Sequence, residues 1–114
     1  MGHEIALNEL DPGVRNFVGF LRSKGFNTTD SGDGESKPEE ARIMPWPHVF
    51  ISVPGAEQNL IPESQRLLVE MTAAGLDVQP GDIQATYDPT QGSMGIIQLV
   101  DDEERYIRQF QWWS

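Results

Sequence analysis

Apolar residues along this chain fall into two helical stripes and several alternating runs. Val14, Phe17, Val18 and Leu21 follow the i, i+3, i+4, i+7 spacing of one buried helix face. Asp11 is placed to cap that helix, Pro12 suits its first position, and Gly25 suits a left-handed end. Phe26–Thr29 reads as a short strand entering a polar loop. His48–Val53 alternates cleanly, with Val49, Ile51 and Val53 on one side and His48, Phe50 and Ser52 on the other. A second helix is expected to start near Asn59–Pro62 and end at Gly75, burying Leu60, Leu67, Leu68, Met71 and Ala74. Ile83–Tyr87 alternates again, with Ile83, Ala85 and Tyr87 inward. Gly95–Val100 is almost continuously apolar, as a central strand would be. Asp88-Pro89-Thr90-Gln91-Gly92 between them predicts a hairpin turn.

The order is helix, strand, strand, twice over, and both helices end in Gly followed by an apolar residue (KGF and AGL). This αββαββ order predicts one α+β domain over residues 1–114, with a single-layer antiparallel sheet and both helices on one face. It resembles a ferredoxin-like sandwich with permuted order. Val14, Phe17, Leu21, Ile51, Leu67, Met71, Ile97 and Leu99 are its expected core. Residues 30–42 are rich in Gly and carboxylates and are expected to form an exposed, mobile acidic loop. Residues 101–114 should form a short C-terminal helix and tail, because Asp101-Asp102-Glu103-Glu104 suits a helix start. Tyr106, Phe110, Trp112 and Trp113 in that tail are costly to leave in water. They pack on the domain or form a subunit interface, a symmetric homodimer being the commonest outcome.

The 114 residues carry a net charge of −10 and no cysteine. Direct binding to a nucleic-acid backbone needs clustered Lys and Arg and is excluded on this balance. Disulfides and thiolate metal sites are excluded with the cysteines, which suits a reducing cytoplasm. No apolar run reaches the length of a membrane span, and the acidic N-terminus does not read as a signal peptide.

Candidate chemistry gathers between the first helix and the second strand. Thr29, Asp30, Ser31, Asp33 and Glu35 lie in a Gly-rich turn, and a stiff Pro45-Trp46-Pro47 segment leads into His48. The turn is not a calcium loop, since Gly32 stands where a ligand should be, nor a phosphate loop, since it lacks the Lys. His48 with Asp30 or Asp33 has the makings of an acid–base pair or two-thirds of a metal site. Ser31 and Ser93 have no base-and-orienter pair, so covalent catalysis has no support. Trp46 and Tyr87 offer flat surfaces for a nucleobase, and the backbone N–H groups of the turn can receive an anion. No cofactor pattern is present.

The pattern Asp11-Pro12-Gly13, Gly25-Phe26, Thr29-Asp30-Ser31-Gly32-Asp33-Gly34 and Pro47-His48, spread over residues 11–53, resembles small accessory proteins of bacteriophages and prophages. Some of those carry Cys in the turn, and this chain does not. The resemblance implies a compact accessory protein of the host cytoplasm, for which countering host defence is a natural role. The leading expectation is a non-enzymatic protein that sequesters a small nucleotide-like ligand at Thr29, Asp30, Ser31, Asp33, Glu35, Trp46, His48 and Tyr87. One rival is an acidic inhibitor that covers a basic surface of a host protein. The other is a small hydrolase using His48 with Asp30 or Asp33, with or without a metal.

Overall fold

The computed structural model describes residues 11–32, 34, 38–107 and 110. Helix α1 spans Pro12–Ser23, strand β1 Thr28–Gly32, a one-turn helix α2 Pro38–Ala41, and strand β2 His48–Val53. Helix α3 spans Ala56–Ala73, followed by strands β3 (Ile83–Tyr87) and β4 (Gly95–Val100). The four strands form one antiparallel sheet in the order β1-β2-β4-β3. The two apolar-rich strands, β2 and β4, are therefore central. Among the described residues no helix is long and apolar enough to cross a membrane.

One core cluster joins both long helices to the same side of the sheet. Val49, Ile51 and Val53 of β2 lie beside Leu99, Ile97 and Gly95 of β4 and are buried together with Val14, Phe17 and Leu21 of α1 and Leu67 and Met71 of α3. All eight expected core residues are fully buried. Both helices end in the same way. Gly25, at φ +87°, donates to the Arg22 carbonyl, and Phe26 donates to the Leu21 carbonyl. Gly75, at φ +81°, and Leu76 repeat this on Thr72 and Met71. That is the Schellman arrangement, and it explains why each Gly is followed by an apolar residue that plugs the core.

Several boundaries differ from the sequence reading. Strand β1 starts at Thr28 and runs to Gly32, so Asp30–Gly32, expected in the loop, are paired to Phe50, Val49 and His48. A register shift between Thr28 and Asp30 admits the extra residue, and Phe26 belongs to the helix cap. Helix α3 starts at Ala56 rather than near Asn59–Pro62, because the Ala56 N–H is taken by the Ser93 carbonyl and Asn59 donates to the Pro54 carbonyl. Pro62 is thus inside the helix, on its exposed side. Ala74 is the exposed C-cap and not a core residue. The acidic loop contains α2.

The tail is the largest correction. Residues 101–107 are not helical. Asp101 is instead buried, and its carboxylate accepts three backbone N–H groups: Arg105 at 2.8 Å, Tyr106 at 2.9 Å and Ile107 at 2.8 Å. This wraps the chain around one carboxylate and turns Tyr106, Ile107 and Phe110 inward. Tyr106 and Phe110, considered above for a subunit interface, are buried and pack edge-on against Phe17, with ring centroids 6.0 Å apart in each pair. Trp112 and Trp113 lie outside the described residues. Arg105 fastens the outside of the turn, donating to both oxygens of Asp82 at 2.6 and 2.7 Å and to the Asp77 carbonyl at 2.7 Å. The hydrogen bond to Asp82 raises the Arg105 guanidinium still further above its already high value.

Two stability predictions follow from the tail. Asp101→Ala removes the acceptor of three N–H groups at a buried site, each worth roughly 1–3 kcal/mol when left unpaired, so urea unfolding should show a loss of about 3–5 kcal/mol. Asp101→Asn keeps one oxygen and should lose less. The buried Tyr106 hydroxyl finds no hydrogen-bond partner among the described residues, and burial pushes it well above its ordinary pKa. Tyr106→Phe should therefore unfold within about 1 kcal/mol of the parent or slightly later. A larger loss would show that the hydroxyl is bonded.

Candidate functional site

The helices cover one side of the sheet and leave the other open. Alternation puts His48, Phe50 and Ser52 of β2 on the open side. Cross-strand partners share a side, so Ile96, Gln98 and Val100 of β4 and Asp30 of β1 join them, as do Gln84 and Thr86 of β3. The segment Ile43–Trp46 lies against the His48–Val100 end of this face and borders two hollows. The smaller, about 190 Å³, is lined by Asp30, Ser31, Ile43, Met44 and His48. The larger, about 480 Å³, is lined by Met44, Trp46, Gln84, Val100 and the carboxylates of Asp82, Asp102 and Glu103, with Gly81 at its edge. Met44 belongs to both.

Close backbone packing fixes the imidazole. His48 Nδ1 lies 3.0 Å from the Trp46 carbonyl oxygen. A carbonyl can only accept, so Nδ1 carries the proton and, in the neutral ring, Nε2 holds the lone pair. The Nε2 edge rests over Gly32, where a Cβ would stand 2.7 Å from His48 Cε1, 3.2 Å from Nε2 and 3.5 Å from Asp11 Oδ2. At Gly34, φ +77°, a Cβ would run into the Pro45 carbonyl group. The two glycines of the turn thus have a packing cause: one lies under an imidazole, the other under the Pro45–Trp46 peptide. Pro47 is tied in turn, its carbonyl accepting from the Asp101 N–H at 2.9 Å.

Several expected site residues come together and others do not. Asp30, Ser31 and His48 share the smaller hollow, and Trp46 borders the larger one. Thr29 sits at the register shift, is exposed and lines neither hollow. Tyr87 is at the far end of β3, opposite Gly95, and packs against the helix-side core. It is separated from the site by the sheet itself. Asp33 and Glu35 lie outside the described residues. Sequence reasoning missed Asp11, read as a helix cap. Its side chain makes no cap hydrogen bond, is buried, and reaches the Gly32–His48 contact. It also missed Asp82, Asp102 and Glu103, which come from turns distant in sequence and carry no local motif.

The chemistry of the arrangement is that of an acid-lined hollow with apolar walls. Among the described residues, neither hollow is lined by lysine or arginine. Arg105, beside the larger hollow, is paired with two of its carboxylates, Asp82 and Glu103. Among the described residues no group of three His, Asp or Glu side chains is placed to hold a metal ion. His48 has one nitrogen 3.0 Å from a carbonyl and the other over Gly32, and the smaller hollow holds the Ser31 hydroxyl and the Asp30 carboxylate beside it. No family model matches the chain, and comparisons with curated proteins and with solved structures give no match.

Gly32→Ala tests the imidazole seat. The added methyl must displace the His48 ring or the β1 backbone, which typically costs about 1–3 kcal/mol. The His48 Cε1 proton resonance should move with it. An unchanged resonance together with unchanged stability would mean that the ring does not rest on Gly32.

Proposed function

We propose that this chain is a non-enzymatic binding protein that engages a basic surface of a protein partner through the open sheet face around Trp46. The observation that carries this reading is the larger hollow, where Trp46, Met44 and Val100 provide apolar and aromatic contact, and Asp82, Asp102 and Glu103, two of them shared with Arg105, leave net negative charge. A lysine or arginine side chain fits both halves of that chemistry, its stem on the apolar wall, its charge among carboxylates or over the indole face. A net charge of −10 steers such a partner toward the chain. The same carboxylates disfavour a phosphate-bearing ligand, which the sequence reading had placed first.

The convergence of Asp30, Ser31 and His48 on the smaller hollow supports a second reading, in which a small nucleotide-like molecule is sequestered there. At about 190 Å³ the hollow is below the 300–1,000 Å³ usual for such ligands, so only a base-sized part would enter. The wider setting we infer is an accessory protein of phage type, acting on a host factor in the cytoplasm. We also read the fold as a permuted ferredoxin-like sandwich. Moving the first strand of a βαββαβ chain to its end gives αββαββ, with the all-antiparallel order β1-β2-β4-β3.

A thermal-shift titration separates the two readings. An arginine-rich peptide at 100 times its dissociation constant should stabilise the protein by about 2.7 kcal/mol. Asp102→Lys, Glu103→Lys and Trp46→Ala should each weaken that binding by about tenfold, or roughly 1.4 kcal/mol. As exposed substitutions they should leave unaided stability within about 0.5 kcal/mol. If nucleotides stabilise the protein instead, and Asp30→Ala or His48→Ala abolishes the effect, the small-ligand reading replaces the first. Indifference to peptide and nucleotide alike would remove both.

A further inference from the structure

The two edges of the sheet are not alike. Strand β1 at one edge carries the register shift after Thr28 and a charged Asp30, both of which hinder the addition of another strand. Strand β3 at the other edge has none of these protections. Its sequence, Ile83-Gln84-Ala85-Thr86-Tyr87, has no charge, no proline and a regular register against β4, and its middle residues are exposed. Among the described residues it pairs with β4 alone, so one row of its backbone donors and acceptors faces outward.

Beside this edge, α3 carries a single carboxylate, Glu57 in its first turn. The charged residues of its middle face α1: Arg66 donates to the Lys24 carbonyl and pairs with Glu63, while Glu70 meets Lys24. Ile61, Gln65, Leu68 and Thr72, at i, i+4, i+7 and i+11, form a stripe on another side. Ile61 is 70% exposed, and the neighbouring Val69 is 66% exposed. An apolar hollow of about 160 Å³ lies between the stripe and the edge, lined by Ser64, Gln65, Leu68, Pro80 and Ile83.

We propose that the β3 edge is the surface on which a second copy of this chain docks, joining two four-stranded sheets into one of eight strands. The strand is self-complementary about Ala85. In antiparallel register centred there, Ile83 lies opposite Tyr87 of the second copy, Gln84 opposite Thr86, and Ala85 opposite its equivalent. Residues directly opposite share a side, so Tyr87 of the second copy falls on the helix side, next to Ile83 and the hollow formed with Leu68 and Pro80. Aromatic against β-branched is a favourable cross-strand pair. The two-fold axis stands perpendicular to the sheet and brings the two α3 stripes toward each other, covering Ile61 and Val69. Charge selects a second copy over a basic partner here. Two chains of net charge −10 approach most readily where each presents few charges: Ile83–Tyr87 has none, and of the carboxylates flanking it, Asp82, set opposite Asp88 of the second copy, is already paired with Arg105.

The test is the mass of the full chain by sedimentation equilibrium, with Ala85→Lys and Ala85→Glu variants. Ala85 is exposed, so both should keep the parent circular dichroism spectrum and melting curve. The parent should be dimeric. Each variant alone sets like charges across the two-fold axis and should raise the dimer dissociation constant by about tenfold or more. An equimolar mixture of the two sets Lys opposite Glu and should regain dimer mass. A parent that stays monomeric at millimolar concentration overturns the proposal. So does a dimer indifferent to both variants, which would place self-association elsewhere, for example on the terminal tryptophans.

Discussion

The arrangement depends on one buried carboxylate. Asp101 leaves the end of β4, and in water its charge would be freely solvated. Here it is satisfied by three backbone N–H groups and held within the fold. A carboxylate can be buried only when its lone pairs are met, and backbone N–H groups can meet them only if the chain bends tightly around it. The bend has two consequences. It delivers Tyr106, Ile107 and Phe110 to the end of the core next to Phe17 and Phe20, where a small helix pair on a four-stranded sheet would otherwise leave apolar surface open. It also sets Arg105 outward against Asp82, tying the tail to the turn before β3.

The same residue reaches the candidate site through its backbone. The Asp101 N–H binds the Pro47 carbonyl, the preceding Trp46 carbonyl binds His48 Nδ1, and the Pro45–Trp46 peptide lies on Gly34. Each link is short and mostly backbone. The two prolines restrict the segment before it is fixed, so little entropy remains to be lost when it seats. The Ile43–Trp46 arm is thereby held beside the open face, with Ile43 85% exposed and Trp46 43% exposed. Large apolar side chains at such exposure, on a restrained segment and ringed by carboxylates, are arranged as a contact surface rather than as a core.

Periodicity made the frame legible. Val14–Leu21 and Val49–Val53 carried signals of period 3.6 and period 2 that tertiary packing reinforces, and the Gly-aromatic and Gly-Leu helix ends were read from a local motif. Errors arose where a long-range partner decides. Asp30–Gly32 looked like loop because glycines and carboxylates are poor strand formers, yet β2 supplies their partners. Ala56–Asn59 looked like turn because nothing in sequence shows that Ser93 will receive the first N–H. Asp101–Glu104 looked like the acidic first turn of a helix, and the acidity was real, but one of the four charges is buried as an acceptor. For the site, Asp30, Ser31, Trp46 and His48 were accessible to sequence reasoning as a cluster near the strand start. Asp11, Asp82, Asp102 and Glu103 were not, since turns far apart in sequence bring them together.

Charge is what separates the surfaces of this molecule. Two of the cations are spent on structure: Arg66 holds α3 to the end of α1 and stacks 3.9 Å from the Phe26 ring centre, and Arg105 holds the tail to Asp82. Asp82, Asp102 and Glu103 border the open face with one guanidinium, Arg105, beside them, while Ile83–Tyr87 of the β3 edge carries no charge. A surface that invites a cationic partner and a surface that tolerates a second −10 chain must be different surfaces, because carboxylates that serve the first purpose repel in the second. In the dimer we propose, a two-fold axis perpendicular to the sheet turns both open faces the same way. The two Trp46 hollows would then present side by side to one partner, and binding there would gain from two attachments without any new contact within either chain.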